Sequence, residues 1–336
     1  MSIPISSLMF FFTLVTGTLL SVSSSSWFGA WIGLELNLIS FIPLITIKMN
    51  PYFSEAALKY FLIQALASTL IVMSSCMYMS LPSLVSPMIL MALLLKLGAA
   101  PFHFWFPQVM EGLSWPQTII LMSIQKLAPM FLISYLMSTP TLIMITTLSA
   151  VLSAIVGGLG GLNVMKLRKI MAFSSINHMS WMLIAITLND MMWIIYFLFY
   201  AAISSSIVIF FHTIQVFTIS DMLNPNYNNP LFALTIPLSL LSLGGLPPFT
   251  GFIPKWLMIQ IMVSNNMILP LFFLLVSALI TLFFYLRISI PFMMLLTPIL
   301  SLNMKNLPYY SSYPIFPLIM FFNSLGLFIP LPYILL

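Results

Sequence analysis

The sequence predicts an all-α bundle of about eleven membrane-crossing helices, two of them broken, and three observations lead there. Hydrophobic residues fill 61% of the 336 positions. Charged residues fill only 4%, ten basic and five acidic, where a soluble domain carries roughly 25%. The apolar runs are long and lack the alternation of a membrane barrel, whose strands run to about ten residues. So few charges cannot hold the surface of such a chain in water, and lipid must be the solvent for most of it. A bilayer core takes about 20 apolar residues per helix and accepts no open strand edge or free loop.

The elements follow in order. The first span, near 3–22, reads as permanent, because Met1 to Leu20 has no basic leader segment and no small-residue cleavage pattern follows. The second, near 27–47, carries Glu35, and the third runs near 56–80. The fourth, near 84–110, is too long for one straight helix and holds Gly98 and Pro101 in its interior. The fifth, near 116–137, holds Lys126 and Pro129. The sixth, near 141–161, closes on Gly157-Gly158-Leu159-Gly160-Gly161, which has no preceding strand and reads as a helix-packing surface. His178 and His212 fall in the seventh and eighth, near 170–188 and 192–218. The ninth, near 231–263, is again too long and is interrupted by Pro247, Pro248 and Pro254. Spans near 268–290 and 314–335 complete the set. Loops are short and no segment reads as soluble, so residues 1–336 form a single integral membrane domain.

Lys and Arg gather on one face, as the positive-inside rule requires. Loops on the N-terminal side hold Lys48, Lys59, Lys166, Arg168, Lys169 and Lys305, with Arg287 at a helix end, whereas the opposite loops hold Asp190 and no basic residue. Ten basic residues spread over the whole chain make no nucleic-acid patch. The one cysteine, Cys76, excludes an internal disulfide and any four-cysteine metal site. No Walker A loop, dinucleotide fingerprint or Ser-His-Asp set is present.

Four charges fall inside spans: Glu35, Lys96, Lys126 and Lys255. A charge at mid-bilayer costs about 2.5–3.5 kcal/mol, so four without compensation would cost roughly 10–14 kcal/mol, comparable to the stability of a whole domain. They must face the bundle interior, pair, or touch water. Snorkelling to the headgroups accounts for Lys48 and Arg287, but Lys96 and Lys126 each lie about ten residues inside their spans. Proline removes a donor and clashes with the carbonyl four residues back. Pro101 would free the carbonyl of Leu97, Pro129 that of Gln125, and the prolines of the ninth span precede Lys255. Irregular backbone at membrane depth persists where protein or water satisfies it, and broken helices of this kind mark ion sites in transporters.

An internal echo strengthens the pattern. Leu97-Gly98-Ala99-Ala100-Pro101 and Leu243-Gly244-Gly245-Leu246-Pro247 share Leu-Gly-x-x-Pro, with Pro107 and Pro254 following. Interrupted spans in two halves of a chain point to a repeat-built transporter. The histidines show no metal or haem spacing. A packed or water-facing role accounts for His212, while His103 and His178 are candidates for a proton relay, since histidine titrates near neutral pH.

Four segments resemble one known family. They are Trp31-Ile-Gly33-Leu-Glu35-Leu-Asn37 running on to Leu44, Lys96 to Trp105, Leu167 to Ser175, and Leu243 to Gly251 with Lys255-Trp256. In order and spacing these blocks are similar to chain 2 of mitochondrial NADH–ubiquinone oxidoreductase, the antiporter-like membrane-arm family of respiratory complex I. The resemblance implies an inverted-repeat architecture lacking three N-terminal helices of the long bacterial relatives. It implies that Glu35 pairs with Lys96 on a broken helix, and that Lys126 and Lys255 continue a polar axis for proton translocation. It also implies a chain in the mitochondrial inner membrane, N-terminus in the matrix and C-terminus in the intermembrane space. NAD, FMN, iron–sulfur clusters and ubiquinone would be used through other subunits, with none bound by this chain. Its expected partners are the other membrane-arm subunits and membrane lipids, without nucleic acid. A subunit of a multi-subunit cation/proton antiporter, or a structural membrane scaffold, would share the buried lysines.

Overall fold

The computed structural model describes residues 5–46, 50–79, 81–222, 230–302 and Asn323. Its helices are α1 (Ile5–Ser23), α2 (Trp27–Ile45), α3 (Pro51–Cys76), α4 (Pro82–Leu97), α5 (Trp105–Gly112), α6 (Trp115–Met122), α7 (Ile124–Leu136), α8 (Pro140–Gly160), α9 (Leu167–Leu188), α10 (Asp190–Ile214), α11 (Ile219–Met222), α12 (Pro230–Gly244), α13 (Phe252–Ser264) and α14 (Ile268–Leu302). Among the described residues, eight stretches, counting α6 with α7 as one, are long and apolar enough to cross a membrane, and α4, α12 and α13 are shorter apolar helices. The first ten expected spans therefore all fall on helix. The eleventh, at 314–335, lies outside the described residues, as do Lys48 and Lys305.

Both over-long spans are broken, and each break is a connection of seven residues, 98–104 between α4 and α5 and 245–251 between α12 and α13. In the first, the helix stops before Pro101 is reached. Gly98 takes a left-handed φ of 70° and its N–H closes on Leu94 and Leu95, the glycine stop that ends many helices. In the second, the left-handed residue is Gly245, at φ 80°, so α12 continues one residue further into the Leu-Gly-x-x-Pro echo than α4 does. The fifth span is also irregular, at Ser123 rather than at the expected Pro129. Ser123 leaves helical geometry at φ −112°, ψ −82°, and its hydroxyl donates to the Ile119 carbonyl at 2.6 Å.

The described residues fall into two compact units, Met1–Ser153 and Ala154–Leu336. In the first, α1 packs along α2, α3 lies against α2, α4 and α5, and α4 meets α7. A capping box opens α6: the Ser114 N–H donates to the Gln117 side chain at 2.7 Å. The Gln117 amide in turn donates to the Leu44 carbonyl at 2.6 Å, one of the last carbonyls of α2, which have no partner within their own helix. In the second unit α9 is the central helix. Its apolar window is 89% buried, against 22% for α1, and it contacts α10, α13 and α14. The glycine-rich end of α8 serves packing as expected: a side chain at Gly157 would meet the Asn177 backbone of α9 at 2.6 Å.

Candidate functional site

In the first unit, Lys96 stands one residue before the end of α4 and Lys126 near the start of α7. Both are buried, 7% and 2% exposed. They line one cavity of about 20 Å³ together with Asn37, Tyr60, Gln64 and Gln125. About 10–15 Å³ suffices for one water when polar partners surround it, and here they do. Tyr60 donates to the Gln125 side-chain oxygen at 3.1 Å, and the Gln125 amide donates to Asn37 at 2.7 Å. The Gln64 amide donates at 3.1 Å to the Lys96 carbonyl. On the far side of the break, the Trp105 indole N–H reaches back to the Leu95 carbonyl at 3.1 Å. The Lys126 ammonium lies 5.1 Å from the centroid of the Phe106 ring, within cation–π range.

Glu35 is half-buried on α2. It does not form a contact ion pair with Lys96. An exposed pair, Lys59–Glu55, does close at 2.6 Å, a kind of pair that contributes about 0–1 kcal/mol.

The second unit holds Lys255, on the first turn of α13 and 7% exposed. Its ammonium bridges the break and donates to the carbonyl of Gly244, the last residue of α12, at 2.7 Å. A cation suits that place, since the carbonyl end of a helix is the negative pole of its dipole. Gly245 makes room for it: a Cβ there would lie 2.9 Å from the Lys255 Nζ.

His178 is buried on α9, with Nδ1 3.0 Å from the Tyr196 hydroxyl and its ring centroid 5.1 Å from that of Tyr200. It shares a cavity of about 10 Å³ with both tyrosines and with Leu243, Gly251 and Pro254, at the edges of the second break. His103 is buried within the first connection, its ring 4.1 Å from that of Phe104. His212 is exposed near the end of α10. Among the described residues no three His, Cys, Asp or Glu side chains converge as metal ligands.

This chain is similar to known proteins over most of its length. Residues 24–85 and 79–281 match the family described as NADH:quinone oxidoreductase/Mrp antiporter, TM. NADH-ubiquinone oxidoreductase chain 2 from Anopheles gambiae is 49% identical over 300 residues, 87% of each chain. The chain belongs to the NADH-ubiquinone oxidoreductase chain 2 family. Chain 2 from Locusta migratoria is 39% identical over 84% of each chain, and chain 2 from Dugong dugon 42% identical over 82% of each. The fold recurs at TM-score 0.83 and 24% identity in respiratory complex I from Thermus thermophilus, over 99% of this chain and 81% of that one. It recurs at 0.75 and 18% in the Mrp complex from Dietzia sp., over 83% of this chain and 59% of that one.

Beside the four charges, the two cavities bring in residues that sequence reasoning passed over: Gln64, Tyr60 and the Gln125 side chain in the first unit, Tyr196 and Tyr200 in the second. A glutamine in the middle of an apolar span was the available signal for Gln64. The tyrosines gave none, because a neutral hydroxyl costs little next to a charge.

Proposed function

We infer that this chain works as a membrane-arm subunit of respiratory complex I, and we propose that Glu35, Lys96, Lys126 and Lys255 carry its proton path, with His103 and His178 as relay candidates. The observation that carries the reading is the shared cavity of Lys96 and Lys126, walled by amides and a tyrosine that can hand hydrogen bonds to a water. Lysine can exchange its proton, and four uncharged polar side chains can reorient around it. Lys255, placed across the second break, would continue the path in the second unit.

Lys96 would act as the switchable carrier, its proton affinity set by how closely Glu35 approaches. A neighbouring carboxylate favours the ammonium form, and a tenfold change in affinity is worth about 1.4 kcal/mol. Moving one charge against 100 mV requires about 2.3 kcal/mol. Closing the present gap into a contact pair, driven by redox chemistry in partner subunits, would supply energy on that scale. NADH, flavin, iron–sulfur and ubiquinone chemistry belongs to those partners in this reading.

Residues 1–336 would then form one membrane module of about eleven spans in the mitochondrial inner membrane. The module would have the inverted-repeat plan without three N-terminal helices, its N-terminus in the matrix and its C-terminus in the intermembrane space. The paired breaks and the one-sided distribution of Lys and Arg support it.

The test is a pair of substitutions in intact complex I. Lys96→Met is expected to abolish pumping by this subunit while the complex still assembles. Lys96→Arg should also impair it, because a guanidinium scarcely deprotonates. A normal proton-to-electron ratio in Lys96→Arg would make Lys96 a fixed electrostatic element, and the carrier role would be wrong.

A further inference from the structure

Three uncharged side chains from three helices of the first unit form one chain of hydrogen bonds beside its buried lysines. Tyr60 of α3 donates to Oε1 of Gln125 on α7 at 3.1 Å. Nε2 of Gln125 donates in turn to Oδ1 of Asn37 on α2 at 2.7 Å. All three line the cavity shared by Lys96 and Lys126, and Gln125 directly precedes Lys126 in the sequence. Tyr60 and Asn37 are 2% and 3% exposed, so bulk water does not compete for these hydrogen bonds.

The chain runs in one direction, yet its chemistry supports both. A side-chain amide has an acceptor at one end and donors at the other, and a phenol both donates and accepts. A half-turn of both amides would let Nδ2 of Asn37 donate to Oε1 of Gln125, and Nε2 of Gln125 donate to the Tyr60 oxygen. Two hydrogen bonds exist before the turn and two after it, so the orientations lie close in energy. What differs is the Tyr60 O–H. It is now held by Gln125, and reversal releases it.

The two ends of the chain are fixed more firmly than its middle. One turn along α3 from Tyr60, Gln64 donates to the Lys96 carbonyl at 3.1 Å. The Tyr60 ring packs against Phe41 and Trp105, with centroids 5.1 and 6.0 Å away. The phenol oxygen therefore keeps its place while its proton can turn. Gln125 is half-buried and follows Ser123, which leaves helical geometry. The helical partner of its carbonyl would be Pro129, which has no N–H to donate.

We propose that Tyr60, Gln125 and Asn37 are positioning residues, a reversible triad whose direction sets whether the cavity accepts from a charged lysine or donates to a neutral one. In the present orientation the Tyr60 oxygen offers lone pairs, which suit an ammonium. In the reversed orientation it offers its O–H, which suits an amine. Each proton step at Lys96 or Lys126 is thus matched by a turn of neutral dipoles, with no further charge brought into the membrane. The proposal rests on the lysine path and adds to it how an uncharged wall follows the proton.

Infrared difference spectroscopy tests it on intact complex I carrying glutamine labelled with heavy carbon at the side-chain carbonyl. A labelled amide band is expected to shift between the resting and the NADH-driven states. That band should be missing in Gln125→Met, which keeps the length of the side chain without an amide. In Tyr60→Phe, which keeps the ring packing and removes only the hydroxyl, it should hold one position in both states. Both variants are expected to oxidise NADH and to lose as much of the proton-to-electron ratio as Lys96→Met does, with native gels confirming assembly. An amide that only packs would leave the wild-type band unmoved, and an unmoved band overturns the triad. So does a wild-type ratio in Tyr60→Phe and Gln125→Met; if Lys96→Arg is impaired at the same time, the lysine path stands without it. A wild-type ratio in Lys96→Arg removes the path and the triad together.

Discussion

Lys255 and Gly245 illustrate how tightly single positions are specified at the second break. An alanine at 245 would have to hold φ near 80°, a conformation that costs an L side chain about 1–2 kcal/mol, and its methyl would displace the Lys255 ammonium from the Gly244 carbonyl. Gly245→Ala is therefore expected to leave an assembled complex with a lower proton-to-electron ratio; a wild-type ratio would show that the lysine–carbonyl contact is dispensable. In the first unit, Gln64→Leu strips the buried Lys96 carbonyl of its side-chain donor, and leaving such a group without a partner costs about 1–3 kcal/mol. Thermal inactivation of the complex should then begin at lower temperature, and an unshifted curve would mean that water replaces the amide. The charges at Glu35, Lys96, Lys126 and Lys255 were legible in the sequence because each is expensive in lipid and must have a reason. The amides and hydroxyls around them were not, since their cost is small enough to be met by ordinary packing.

Among elements, the two seven-residue breaks were legible because no straight helix fits spans of that length and glycine and proline mark the interruptions. Their inner geometry was not. Proline was expected to free single carbonyls, but Gly98 and Gly245 stop the helices first, and in the fifth span Ser123 takes the irregular conformation while helix continues through Pro129. A positive-φ glycine is an easier way to end a helix than a clash inside one. The echo also conceals an asymmetry: Lys96 precedes its break and Lys255 follows its own. Residue types alone could suggest that both sit at breaks, but helix ends had to be seen before the sides could be assigned. Gln117, which completes the capping box of α6 and also caps α2, couples two elements. Gln117→Leu should destabilise the first unit by about 1–3 kcal/mol, read as faster loss of this subunit from the complex in detergent. Retention equal to wild type would place the stability of α6 elsewhere.

For the whole chain, composition pointed to lipid as the solvent, because a surface with so little charge has no other, and the long apolar runs without alternation selected helices over a barrel. The order of the first ten spans was legible from hydropathy and breakers. The division into two compact units was not, since contact density between helices leaves no mark in a one-dimensional pattern. Orientation can be tested with the protein as it stands. Cys76 is the one cysteine in the sequence and is exposed at the end of α3. With the N-terminus in the matrix, three crossings place it on the intermembrane-space side. A membrane-impermeant maleimide should then modify Cys76 in intact mitoplasts and spare it in inside-out vesicles, as read by peptide mass spectrometry. The opposite pattern would invert the assigned topology.

The bridge from Lys255 to the Gly244 carbonyl has one more consequence, which follows from counting hydrogens. An ammonium carries three N–H groups and the neutral amine still carries two, so the carbonyl keeps a donor whichever form is present. The carbonyl thus keeps a hydrogen-bond partner in either form, although the dipole favours the charged one. A proton could come and go at this position thousands of times without the backbone having to find a new partner, and the break need not open for the site to turn over.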